Sequence, residues 1–244
     1  MLSKPPHIAS ANIADDPLQF RWDEWNVTDA YHPADPELME RMAKLSHRAN
    51  MALCTAMGEW VVWRFERHSS DGEPFEFLEA AWAAGVHTAY ARYAEFVDDD
   101  WRGVVRGPML IAMEILVDLI WGLDDTKPGE NVAWMSNLAE LVLPDPQPFR
   151  AWRDAAIARL EPLHPRAEAG SGVTFSDERD IGAWVPRETF VLAVPFDPAG
   201  TRMLLERFLQ SLDPAANPYL NSRQEVSEFP DFSGVPYELP AADR

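Results

Sequence analysis

Residues 108–123 read PMLIAMEILVDLIWGL, a run that is apolar on nearly every side when wound as a helix. Only Glu114 and Asp118 interrupt it. A helix with so little polar surface belongs at the centre of a bundle, so its partners should lie on either side in sequence. Upstream, Asp35-Pro36-Glu37 is a helix start: Asp can cap free amides, proline is preorganised for the first turn, and Glu suits the positive end. Leu38, Met42, Leu45, Ala49, Leu53, Ala56, Trp60 and Trp63 follow at helical spacing, which predicts one helix over residues 36–67. A turn at residues 69–74 leads to a second stripe of Phe75, Leu78, Trp82, Val86, Ala89, Tyr93 and Phe96. This predicts an antiparallel helix over residues 74–98.

Downstream, prolines introduce shorter helices over residues 129–142 and 146–161. After Pro162 the character changes. Residues 165–180 are polar, residues 190–196 (FVLAVPF) are expected as a short strand, and residues 198–212 place Met203, Leu204, Phe208, Leu209 and Leu212 on one helical face. The fold expected is mostly α, an irregular bundle of five or more helices with a partly extended C-terminal region. Residues 1–17 read as a flexible arm, 18–212 as the helical domain, and 213–244 as a proline-rich tail docked on it. In that tail Tyr219, Phe229, Phe232 and Tyr237 are the rings available to dock.

The formal net charge is −19, from 40 acidic and 21 basic residues, and each half of the chain carries 20 of the acids. Such a surface repels phosphate backbones and anionic headgroups, so neither nucleic acid nor membrane is an expected partner. A basic protein is. The single cysteine, Cys54, has no intramolecular disulfide partner and sits inside a helical pattern, where it reads as a small core residue. With no apolar leader at the N-terminus, the expected location is the cytoplasm.

Among patterns that might carry chemistry, Glu76-x-x-Glu79 and Glu95-x-x-Asp98 stand fifteen residues apart. The pairs resemble the E-x-x-E…E-x-x-D pattern of all-α nucleotide pyrophosphatases of the MazG type. That resemblance implies four carboxylates on facing helices holding magnesium or manganese against a triphosphate. It needs a chain reversal between the pairs. If residues 74–98 are instead one helix, Glu76 and Glu95 stand about 28 Å apart at ~1.5 Å per residue.

A second grouping survives the one-helix reading, with Glu95 and Glu114 at similar heights on neighbouring antiparallel helices, Asp118 one turn deeper and Arg92 as a partner. Buried carboxylates would need a cation, a metal, a proton or water. The metal candidates are therefore Glu95, Asp98, Glu114 and Asp118. The six histidines show no metal-ligand spacing, and no phosphate loop or nucleophile elbow occurs. Of ten tryptophans, Trp22, Trp25 and Trp184 fall outside the clear periodicity and are the candidate anchors of a protein interface. The reading these features support is a non-catalytic protein-binding module with an acidic surface, of the immunity, antitoxin or adaptor kind, without a cofactor. The alternative is a divalent-metal hydrolase on an all-α scaffold, using magnesium or manganese.

Overall fold

The computed structural model describes residues 2–33, 35–97, 101–122, 128–166 and 181–239. Among them the chain forms ten α-helices and no strand: α1 (Pro6–Ala11), α2 (Val27–Tyr31), α3 (Pro36–Met42), α4 (His47–Arg64), α5 (Glu73–Ala84), α6 (Gly103–Trp121), α7 (Pro128–Val142), α8 (Gln147–Leu163), α9 (Thr201–Ser211) and α10 (Arg223–Glu228). The mostly α, multi-helix architecture is as expected from the sequence.

The centre of the bundle is α4, not the apolar α6. Every residue from Ala49 to Arg64 is buried, and α4 packs against α5, α6, α7 and α8. By contrast α6 leaves Glu114 exposed and Asp118 half-exposed. The polar residues of α4 find partners inside. Arg64 donates to the carbonyls of Ile13 (2.7 Å), Pro17 (3.0 Å) and Val142 (3.1 Å), the last being the C-terminal residue of α7. Glu59 accepts from Trp82 Nε1 at 2.8 Å and from Arg187 Nε at 2.6 Å.

The helix expected over residues 36–67 is two helices. Asp35 caps α3 by accepting from the Leu38 amide, and Ser46 caps α4 by accepting from the Ala49 amide. Between them the Asn50 side-chain amide donates to the carbonyls of Met42, Leu45 and Ser46 at 3.0, 3.3 and 3.1 Å. The Met42 and Ser46 carbonyls also accept from the Leu45 and Asn50 amides, so the side chain adds a second donor to those two and supplies one to Leu45. Leu45 keeps the hydrophobic phase across the break, which is why the stripe looks continuous.

The helix expected over residues 74–98 stops at Ala84. Beyond it Arg48 and Trp184 both donate to the Val86 carbonyl, and His87 Nδ1 accepts from the Ala89 amide. Residues 89–92 then pair with the C-terminal region: Asn221 Nδ2 donates to the Ala89 and Ala91 carbonyls, its amide donates to Tyr90, and the Arg92 amide donates to Tyr219. From there the chain runs without helix past α6. Tyr93 meets Trp121 at one end, and Phe96 meets Trp101 just before the other.

Residues 190–196 form no strand. The Arg159 guanidinium of α8 gathers the carbonyls of Thr189, Val191, Leu192 and Val194 at 2.9–3.3 Å, so the segment curls around a cation instead of pairing with another chain. In the N-terminal segment read as an arm, α1 buries Ile8, and Ile13 just beyond it is buried as well. In the C-terminal region Tyr219 and Tyr237 are buried and Phe229 and Phe232 pack on the core, with α10 inserted between them under a capping box of Ser222 and Glu225.

His7 of α1 stacks on Trp152 (centroids 4.9 Å apart) and tilts against Trp60 at 5.6 Å. Burial, aided by the Arg187 charge, holds its imidazole down at about 4. A folded-state pKa below the unfolded value means that the unfolded chain binds the proton first. Stability from neutral His7 is therefore complete above pH 6.5 and lost as pH falls towards 4, by at most about 3 kcal/mol. In urea titrations across that window, His7→Phe should lose less stability than the native chain; equal losses would exclude His7 as the source. Asn50→Ala should cost about 2 kcal/mol in the same assay at pH 7, because it removes a side-chain donor shared by three buried carbonyls.

Candidate functional site

The residues singled out in the sequence do not assemble into one centre. Glu76 and Glu79 lie on α5, where Asn217 Nδ2 donates to the Glu76 carbonyl at 2.9 Å and to the Glu79 carboxylate at 3.0 Å. Glu95 is exposed on the non-helical run beside α6, and Asp98 lies outside the described residues. The two facing helices that the pyrophosphatase resemblance implies are absent from the described residues, because residues 91–97 are not helical. On α6, Asp118 accepts from Asn131 Nδ2 of α7 at 2.7 Å, a neutral partner in place of the expected cation. Glu114 is exposed, and its charge adds to burial in raising the Tyr31 phenol above its ordinary value. No group of three or more His, Cys, Asp or Glu side chains among the described residues is arranged to hold a metal. The Cys54 thiol is buried, which pushes its pKa up and leaves it unsuited to attack.

The three tryptophans separate. Trp184 is half-buried, donating to Val86 and lying 5.5 Å from the Arg48 guanidinium; it fastens residues 181–187 to the bundle. Trp22 lies against α6 at Gly107, where a Cβ would come within 2.4 Å of its indole nitrogen. Trp25 is 90% exposed. Its amide donates to Asp23 Oδ1 at 3.1 Å, and the adjacent Glu24 carboxylate accepts from the Gly103 amide at the start of α6. The ring is thus presented directly after a residue fixed to the start of α6.

One turn further along α6 lies a cleft of about 320 Å³. Glu73 reaches it from the start of α5, Glu95, Phe96 and Val97 from the run before α6, and Trp101 and Arg106 from the entry to α6. Tyr219 closes it from the C-terminal region, its hydroxyl donating to Glu73. Burial and that carboxylate together raise the Tyr219 phenol far above its ordinary value, so it stays a neutral donor. Arg106 stacks over Trp101 at 4.2 Å and pairs with Asp71 at 2.8 Å. Nearby, Glu76 is held above the usual carboxylate range by partial burial and by the charges of Glu73, Glu79 and Asp71. The cleft thus joins rings to crowded negative charge, an arrangement that favours a cation.

Sequence reasoning passed over Glu73, Arg106 and the Phe96–Trp101 pair, because the cleft unites residues almost 150 positions apart and no local spacing marks it. No family model, curated protein or solved structure matches this chain.

Close approach at Gly107 gives a test of how the Trp25 segment is held. Gly107→Ala should displace Trp22 and destabilise the protein by about 1–3 kcal/mol, the usual cost of overpacking. Unchanged stability and unchanged Trp fluorescence would show that residues 22–25 are not anchored there.

Proposed function

We propose that this chain is a non-catalytic protein-binding module whose acidic surface docks a basic partner, in the manner of immunity, antitoxin or adaptor proteins. The observation that carries the reading is Trp25, a large indole left 90% exposed on a pinned turn. Exposing that ring serves no packing purpose within the chain. Val104, 40% exposed, follows the Gly103 amide that Glu24 engages, and Val97, 63% exposed, borders the cleft. Apolar anchors of this kind, ringed by charge, are what interface hot spots use. Because the turn is already ordered, binding would lose little conformational entropy there. The net charge of −19 would steer a basic partner and set association rate more than affinity.

Capture from the native host with the purified chain should yield a basic protein whose association slows as ionic strength rises from about 50 to 200 mM. Trp25→Ala should weaken that complex at least tenfold, in keeping with a hot spot worth ~2 kcal/mol or more. Retention of full affinity by Trp25→Ala would remove the basis of this reading. So would magnesium- or manganese-dependent hydrolysis of a nucleoside triphosphate that Glu95→Gln or Glu114→Gln abolishes.

A further inference from the structure

Resting on that reading, we propose that the cleft beside α6 receives one arginine side chain of the partner, its guanidinium held by Glu73 and Glu95 against the rings of Phe96 and Tyr219. Three features point to this occupant. The first is that the fold already seats a guanidinium on the cleft wall: Arg106 lies 4.2 Å over Trp101 and bonds to Asp71 at 2.8 Å. The wall therefore has the chemistry for a planar cation.

Charge is the second. With Arg106 engaged by Asp71, the lining still carries two carboxylates, Glu73 and Glu95. An incoming cation would stand between them. The third is size, since about 320 Å³ stands at the small end of the ~300–1,000 Å³ typical of ligand pockets and suits a single side chain. Arginine fits better than lysine because its planar fork can bond carboxylates arriving from two different elements while its face lies on a ring. The apolar surface of Val97 at the rim suits a residue carried on a protein more than a free cation in water.

The test is a titration of the ¹⁵N-labelled full chain with N-acetyl-argininamide, N-acetyl-lysinamide and N-acetyl-citrullinamide, following the Trp101 indole resonance assigned through Trp101→Phe. Arginine should give a saturable shift, lysine one at least fivefold weaker in affinity, and citrulline, the neutral isostere, none. The double variant Glu73→Gln/Glu95→Gln should weaken the arginine probe at least tenfold while keeping its far-UV circular dichroism and Tm, because glutamine can still accept the Tyr219 hydroxyl. No saturable shift, an equal response to citrulline, or unchanged arginine binding by the double variant would overturn the assignment. If the probe fails while Trp25→Ala still disrupts the captured complex, only the cleft assignment falls. Failure of both would remove the binding reading with it.

Discussion

Burying α4 on all sides is the constraint from which the rest of the architecture follows. A helix enclosed from Ala49 to Arg64 brings Glu59 and Arg64 out of water with it, and neither charge is tolerable inside without partners. Arg64 is answered by three carbonyls, two from the N-terminal segment and one from the end of α7. Glu59 is answered by Trp82 on α5 and by Arg187. Arg187 in turn donates to the Ser3 carbonyl, so one buried carboxylate ties together α4, α5, the segment after α8 and the N-terminal segment. The irregular wrapping of the bundle is thus the geometry that satisfies a charged central helix.

The same logic governs the non-helical parts. Asn50 gathers three carbonyls at the α3–α4 corner, Arg159 gathers four beneath residues 189–194, and Asn221 gathers those of residues 89 and 91. Each is a polar side chain doing what a neighbouring turn or strand would do elsewhere. Loops that would otherwise leave backbone groups unpaired can then lie on the apolar core. Because the donors come from distant positions, these loops depend on the whole bundle for their shape.

The candidate site is a by-product of one such loop. Ending α5 at Ala84 and pairing residues 89–92 with the C-terminal region sends residues 93–97 past α6, from Trp121 to Trp101. That route brings Phe96 and Glu95 to Tyr219, Glu73 and Arg106. A continuous helix would have carried the same residues away from α6. Rings and carboxylates meet there because tertiary pairing outweighed helical continuation across a single weak point, Gly85.

Helix content, the capped start of α3 and the limits of α7 and α8 were legible in the residues, since periodicity, prolines and caps act over a few positions. The docking of Tyr219 and Tyr237 was legible too, as rings with no local use. By contrast, the centrality of α4 was hidden by its polar residues, which look solvent-facing until their distant partners are known. The largely apolar α6 looked central but lies with one flank open. The breaks at 43–46 and after Ala84 keep the hydrophobic phase, so no local pattern could reveal them. Glu95 was singled out for a helical geometry it does not have, whereas Trp25, singled out for lying outside the periodicity, is exposed. Sequence by itself determined which segments coil and which rings must find cover, because those are short-range preferences and transfer energies. Only the tertiary structure decided where the helices stop and which side chains share a cleft, because both depend on hydrogen-bond donors and rings supplied from remote parts of the chain.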